Sequence, residues 1–286
     1  MDVIAKPHRG PGYGWGSEEL DLDAYLARIG YGGDRTPSAE VLRALHLAHV
    51  TSIPFENVEV VLDRPVELDV PALQDKLVHR QRGGYCFEHA GLFAAALEGL
   101  GFTFTGLLSR VLMGTDLPRP ATHAVLLVAA GGASWICDVG FGGSPLAPIE
   151  FADDARITEG GWTNRLHEVP ATGDWEVQRW TGESWLVMHR FTTNPAYPID
   201  YRVGSHYVAT HPRSPFVGTL RAQRIGAGFL HALDRALLST ARPDGSVEEH
   251  RLSAHEVTGA LAERFGIVLD PDDAAALEAQ VKSTPV

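Results

Sequence analysis

The stretch Arg82-Gly83-Gly84-Tyr85-Cys86-Phe87-Glu88-His89-Ala90, continued by Gly91-Leu92-Phe93-Ala94-Ala95-Ala96-Leu97-Glu98-Gly99-Leu100-Gly101, decides how the rest of the chain is read. Two glycines interrupt whatever precedes them, so a new element begins at about Tyr85. From there to Leu100 strong helix formers dominate, and Gly101 supplies a stop. Apolar residues cover every side, with only Glu88, His89 and Glu98 strongly polar, so the helix is expected to be buried. Cys86 then lies at its N-terminal end, where free backbone N–H groups and the positive end of the dipole favour a thiolate over a thiol. Helix N-termini and neighbouring imidazolium groups lower a thiol from its usual value near ~8.5, which is how a nucleophile is made.

The chain has 286 residues, a length that suggests two or three packed units. Apolar residues make up 44% and charged residues 21%, which fits a soluble globular protein with a full core. A net charge of −12 argues against nucleic-acid and anionic-membrane partners, though not against one anionic small molecule held by a few arginines. Cys86 and Cys137 allow one disulfide at most. The longest apolar run, Ala124 to Ala130, is too short to span a bilayer, and no charged-then-apolar leader opens the chain. The expectation is a cytoplasmic protein with reduced thiols.

Residues 1–19, rich in Gly and Pro, read as a draped or mobile arm. Helical spacing follows over Asp21 to Ile29 and Ser38 to Thr51, the second stopping at Ser52-Ile53-Pro54. Val58 to Val61 reads as β-like. A third helix is expected from an Asp69 cap to Gln81, and the block as a whole reads as α. After Gly101 the period changes. Phe102 to Met113, Thr122 to Val128, Ser134 to Val139, Trp175 to Trp180 and Ser184 to Thr192 are β-branched or aromatic runs with turn signals between them. They suggest an antiparallel sheet or barrel. A short helix near Ile199 to Val208, strands from Phe216, a capping box at Ser253-Ala254-His255-Glu256 and a last helix over Asp272 to Val281 complete the reading.

A thiol nucleophile needs a base, and the base needs an orienting acceptor. Two histidines are candidates. His89 follows Cys86 on the same helical face, and His123 opens the strand Thr122 to Val128. The next strand carries Asp138, an acid inside an apolar run that is hard to explain without a partner. A short Gly-rich turn between these strands can set His123 beside Asp138, and alternation sends Cys137 to the opposite face as a packing residue.

These residues carry a resemblance. Arg82 to Glu88, Thr122-His123-Ala124-Val125 and Asp138-Val139-Gly140-Phe141-Gly142 resemble signatures of the arylamine N-acetyltransferases. So do Ser52-Ile53-Pro54-Phe55-Glu56-Asn57 and Pro212-Arg213-Ser214-Pro215-Phe216, and the order and spacing hold over roughly residues 20–220. The resemblance implies an α+β fold of the bacterial type. Its parts are a helical bundle carrying the nucleophile (1–101), an antiparallel β-barrel with the His and Asp (102–210) and an α/β lid (211–286), around a papain- or transglutaminase-like cysteine site. It implies a triad of Cys86, His123 and Asp138. Acetyl-CoA would be the acyl donor and arylamines the acceptors, with arylhydrazines and N-hydroxyarylamines as further acceptors, in a role in xenobiotic metabolism. No metal, nucleic acid or membrane is implied, and a homo-oligomer is left open. Phe55, Phe141 and Phe216 would line an apolar slot for the aromatic ring, with Thr122 and Gly142 also binding substrate. The family commonly has Asn four residues after the nucleophile, where this chain has Ala90. A hydrogen bond supporting the site is therefore expected to be missing or replaced.

Blander readings stand beside these. Free cysteine is often a small buried hydrophobe, and a His–Asp pair can be structural. His89 reads as a packing residue more readily than as the base. His46 and His49 have a spacing that can bind metal but no acidic or thiol partner nearby in sequence. Gly140-Phe141-Gly142-Gly143 lacks the lysine and hydroxyl residue of a P-loop, and no serine-hydrolase elbow occurs. The rival functions are a macrolactam-forming amide synthase using a carrier-bound acyl chain, a peptide hydrolase or transglutaminase, and a binding protein without turnover.

Overall fold

The computed structural model of the protein describes residues 13–283. A 3-10 turn (Ser17–Glu19) leads into α1 (Leu22–Arg28), capped by the Asp21 carboxylate, and then α2 (Ala39–Ser52), capped by the Ser38 hydroxyl. Next come β1 (Phe55–Glu56), α3 (Val58–Val61) and α4 (Val70–Leu73), which is capped by Asp69 and runs on as a π-helical turn (Gln74–His79). α5 (Cys86–Gly99) is the buried helix expected from its composition. Its Leu92, Phe93, Ala96 and Leu97 share one core with Tyr25, Leu42, Leu45, Leu73 and Leu77 of the helices around it.

For this half one expectation is narrowed, the arm being draped where it is described, and one is corrected. The part of the proposed arm that is described, residues 13–19, is held down: the Glu98 carboxylate accepts from the N–H groups of Trp15 and Ser17, and the Trp15 ring packs on Phe104 and Tyr201. This accounts for an acid on an otherwise apolar helix. Residues 1–12 lie outside the described residues. Val58 to Val61 is a helical turn, not a strand, because Val58 and Val61 both turn into a separate core with Leu220, Leu233 and Leu261. Tertiary packing overrides the β preference of valine there. The strand is β1, just upstream.

The second layer is a sheet of β2 (Thr103–Val111), β3 (His123–Ala130), β4 (Ala133–Cys137), β5 (Ile149–Glu150), β6 (Arg156–Glu159), β7 (Trp162–Val169), β8 (Asp174–Trp180) and β9 (Trp185–Phe191). Its order is β5-β4-β3-β2-β9-β8-β7-β6, with antiparallel neighbours throughout, and the two edge strands come back into contact to leave a nearly closed barrel. Leu107, Val125, Leu127, Ile136, Leu166, Val177 and Met188 fill its interior. β3 is buried on both faces. Val125 and Leu127 point into the barrel, while Leu126 and Val128 pack on the helical core, which lays α5 against the barrel wall. The β6–β7 hairpin was absent from the sequence reading, although Gly160 and Gly161, both at positive φ, mark its turn. Its charged and half-exposed strands lack an apolar run.

After α6 (Pro198–Thr210), the strands β10 (Arg221–Gly226), β11 (Phe229–Asp234), β12 (Leu237–Ala241) and β13 (Val247–Arg251) form a second sheet, backed by α7 (Ala254–Ala260) and α8 (Pro271–Ser283). Pro212 to Leu220 is loop, so strands begin at Arg221 and not at Phe216. The order β1-β10-β11-β12-β13 shows that the N-terminal block is not purely α: it gives this sheet its first strand. Asn57 secures the junction, accepting from Arg221 N–H at 2.7 Å and donating to the carbonyls of Phe216 and Thr219. Among the described residues no helix is long and apolar enough to cross a membrane.

Two buried ion pairs lie behind β1 and the start of α5. Arg82 donates Nε and Nη2 to Glu56 Oε1 at 3.0 and 2.7 Å, and Lys76 Nζ lies 2.7 Å from Glu88 Oε1. Glu56 is fully buried, so removing its partner strands a charge. Arg82→Ala should therefore destabilise the fold by about 3–5 kcal/mol. Arg82→Lys, which cannot form the same two-nitrogen contact, should fall between it and the parent in urea-unfolding midpoint.

Candidate functional site

The first turn of α5 and one end of the barrel meet at Cys86. The turn is set by Glu88, whose carboxylate accepts from Tyr85 N–H at 2.9 Å. Cys86 is buried, and its thiol points to the Thr122 carbonyl at 3.5 Å. Its sulfur also interacts with the imidazole of His123, the first residue of β3. His123 Nε2 in turn lies 3.1 Å from Asp138 Oδ1, an ion-pair contact in which the ring N–H is poorly aligned with the oxygen. Asp138 does not sit within β4 as the sequence suggested. The strand ends at Cys137, and Asp138 begins the turn that follows. Gly140 is required in that turn, because a Cβ there would lie 2.7 Å from Cys86 Cα. The backbone after Asp138 is packed directly onto the start of α5.

Asp138 has a second partner that sequence reasoning missed. His189 Nε2 lies 3.0 Å from Asp138 Oδ2, and Ser109 Oγ lies 2.7 Å from His189 Nδ1. His189 escaped notice because β9 breaks its alternation. The register between β8 and β9 shifts, Val177 pairing with His189 and Gln178 with Val187, so the neighbours Met188 and His189 are both buried. The only signal in the sequence was a polar pair, His189 and Arg190, in an otherwise apolar strand.

Burial would lower the pKa of His123, but the Asp138 carboxylate outweighs it and lifts the imidazole to about 10. Burial would likewise raise Asp138, yet the charge of the adjacent His123 and the hydrogen bond from His189 hold it well below the usual carboxylate range. His189 goes the other way, its burial outweighing the pull of Asp138, and stays neutral. A charged His123 and Asp138 thus face a buried thiol, an arrangement able to keep a thiolate and to move one proton between sulfur and imidazole.

The other expected site residues surround this centre. Phe55 is buried in one cluster with Tyr85 and Cys86, and its ring centroid lies 5.8 Å from that of Phe216. Phe141 stands edge-on to His123 at 5.1 Å. Thr122 contributes the carbonyl that faces the thiol. Gly142, at φ 86°, lets Gln223 of β10 lie where a side chain would otherwise be. Arg179, buried over the Trp162 ring, donates to the Gly143 carbonyl at 2.6 Å and supports the same loop.

The remaining candidates have other partners. His89 is turned away from Cys86: its Nδ1 lies 3.0 Å from His49 Nε2 and its Nε2 3.2 Å from the Pro54 carbonyl, while Tyr25 Oη lies 2.9 Å from His49 Nδ1. His46 packs edge-on against Phe93, its nitrogens facing the backbone of Leu146 and Asp138 without well-shaped hydrogen bonds. The two residues of the spaced pair therefore do not converge. The His/Asp group that does converge, among the described residues, is His123, Asp138 and His189, at hydrogen-bond spacings. Cys137 lies in the helical core, where burial pushes its thiol up. Ala90 packs in the apolar cluster around Tyr85 and Phe87 and has no side-chain hydrogen bond to give the site.

A family profile described as N-acetyltransferase matches residues 38–274. A curated arylamine N-acetyltransferase of Mycobacterium tuberculosis is 37% identical over 274 residues, 92% of this chain and 95% of that protein. A Salmonella typhimurium protein named arylamine N-acetyltransferase / N-hydroxyarylamine O-acetyltransferase is 42% identical over 199 residues, 68% of this chain and 69% of its own. Among solved structures, the Mycobacterium abscessus arylamine N-acetyltransferase superposes with a TM-score of 0.92 at 42% identity, covering 97% of this chain and 100% of that one. The Mycobacterium marinum enzyme in complex with CoA superposes at 0.85 and 36% identity, covering 91% and 98%.

The buried imidazoles set a pH dependence of stability. Burial lowers His46 and His89 to about 4 and His49 well below its usual value, so the unfolded chain takes up protons first on acidification. Their neutral forms contribute in full above about pH 6.5, and that contribution is lost progressively below it. His123 has the opposite sign: its contribution is present below about pH 6.5 and is lost as pH rises through about 10. Urea midpoints measured across pH should therefore fall on both sides of about pH 6.5. His49→Phe should flatten the acid limb.

Proposed function

The chain belongs to the arylamine N-acetyltransferase family, and on that premise we propose that it transfers the acetyl group of acetyl-CoA to the nitrogen of arylamines through an acetyl-Cys86 intermediate. O-acetylation of N-hydroxyarylamines, named for the Salmonella relative, belongs to the same reading. The bound CoA of the M. marinum neighbour supports acetyl-CoA as donor. The observation that carries the proposal is the buried line from Cys86 through His123 to Asp138.

In this reading Cys86 is the nucleophile, His123 the general acid and base, and Asp138 the group that holds His123 protonated and oriented. The thiolate adds to the thioester carbonyl, and the C–S bond to CoA breaks. The CoA thiolate takes the His123 proton, leaving an acetyl-thioester on Cys86. One thioester replaces another, so the step is nearly balanced in energy. The arylamine nitrogen then attacks that thioester, His123 accepts its proton, and Cys86 leaves as thiolate. Backbone N–H groups at the start of α5 are suited to the oxyanion of both steps.

Phe55, Phe141 and Phe216 are assigned to the slot for the aromatic ring, with Thr122 and Gly142 at its edge. Their placement around Cys86 and His123 supports this. The division of labour proposed for the chain is residues 1–101 for the nucleophile, 102–210 for the His and Asp, and 211–286 as the lid. β1 ties the first of these regions to the third.

Mixing the protein with acetyl-CoA and no amine should add one acetyl group to the intact mass. Cys86→Ala should show no addition, and an arylamine should discharge the adduct. Steady-state acetylation of an arylamine should fall at least about a thousandfold in Cys86→Ala. Loading by a long acyl thioester but not by acetyl-CoA would point to the amide synthase instead. Failure of every thioester to load Cys86 would overturn the proposal.

A further inference from the structure

Asp138 offers its two oxygens to two different imidazoles, and only His123 reaches the thiol. Between two rings and one carboxylate there is one unit of negative charge, and His123 carries the matching positive one. A carboxylate oxygen has only lone pairs to offer, so the His189 nitrogen 3.0 Å from it carries a proton. In a neutral ring the other nitrogen, Nδ1, is then bare. Ser109 Oγ stands 3.0 Å from the Arg190 carbonyl, to which it can donate, and 2.7 Å from that nitrogen; with Nδ1 bare, its single proton serves the nitrogen. In the reverse tautomer Nε2 and Oδ2 would oppose each other lone pair to lone pair inside the protein, a buried arrangement with no water to relieve it.

We propose that His189 is a positioning residue for the reaction: fixed in its Nε2–H tautomer by Ser109, it pins the Asp138 carboxylate so that the other oxygen stays on His123. This rests on the reading of Cys86, His123 and Asp138 as the reacting set. Asp138 lies just past the end of β4, where no strand pairing restrains it, so its side chain depends on what it touches. From the turn side, Gly140 N–H donates to Oδ1 at 3.3 Å. From the barrel side the restraint on Oδ2 is His189, itself clasped between the Phe141 and Phe191 rings and edge-on to His123 at 4.9 Å. The charged neighbours are turned elsewhere. Arg190 binds Glu176, and Arg179 binds the Gly143 carbonyl and Asn164. Ser109, His189, Asp138, His123 and Cys86 thus lie in one polar line that ends at the thiol.

The test uses the full-length chain with His189→Phe, His189→Gln and Ser109→Ala. It reads Cys86 alkylation by iodoacetamide as a function of pH, kcat/KM for acetyl-CoA, and the urea midpoint. Phe keeps the bulk and removes the donor; Gln keeps an N–H near the position of Nε2. His189→Phe should slow alkylation at neutral pH and reduce kcat/KM by about 10–100-fold, with a displaced alkylation pH profile. His189→Gln should recover most of both, and Ser109→Ala should show a smaller displacement in the same direction. Unchanged rates and profile in His189→Phe overturn the inference. If that variant fails to fold, a folded His189→Gln or Ser109→Ala decides: parent-like activity in Gln with a displaced profile in Ala supports the inference, and an inactive Gln variant or an undisplaced Ala profile overturns it. If parental Cys86 reacts no faster than an ordinary thiol, the triad reading itself fails, and this inference with it.

Discussion

Asp138 has almost no access to water, and an isolated carboxylate there would cost several kcal/mol. Its charge is tolerated because one oxygen faces a protonated His123 and the other accepts from His189. That requirement organises the site. It brings together the first residue of β3, the residue of β9 beside its bulge and the turn after β4, with Ser109 of β2 behind them, all at one end of the barrel. The apolar side chains below exclude water, and this exclusion keeps the His123–Asp138 interaction strong enough to hold the imidazole charged. The same exclusion would be ruinous for a carboxylate with one partner missing.

The helical layer solves a different problem, that of placing a thiol at the end of this polar line. α5 is buried on every side, so its position is set by packing against α1, α2 and β3. Gly140 lets the turn carrying Asp138 touch the helix backbone at Cys86. Behind the helix start, Glu56 and Arg82 neutralise each other, and Tyr25, His49 and His89 form a neutral chain that ends on the Pro54 carbonyl. Both devices hold the segment around Phe55, the residue that packs against Phe216 of the C-terminal part. Several residues of the motifs at 52–57 and 82–88 thus act on the architecture that aims the thiol, not on the thiol.

Much of this was legible beforehand, for identifiable reasons. α5 declared itself through a long apolar run between glycines, α1 and α2 through helical spacing, and α4 through an Asp69 cap that the structure retains. The barrel strands on either side of His123 showed as β-branched runs. Cys86, His123 and Asp138 were each singled out by a local oddity: a thiol at a helix start, a histidine opening a strand, an acid in an apolar run. What failed were inferences of position. Val58 to Val61 looks like a strand and is a helical turn, because two of its valines are needed by a core built from residues over 150 positions away. The β6–β7 hairpin carried its signal in Gly160-Gly161 and not in its polar strands.

The sequence by itself determined which elements exist and which side chains are chemically unusual, because helix caps, glycine stops and apolar periodicity act over a few residues. It could not determine that β1 joins the C-terminal sheet, that His89 turns to His49 and away from Cys86, or that His189 faces Asp138. Each of those depends on a partner distant in the chain, and the last also on a register that one bulge at Met188 reverses. Local propensity forms the pieces. The cost of burying a charge decides how they are brought together.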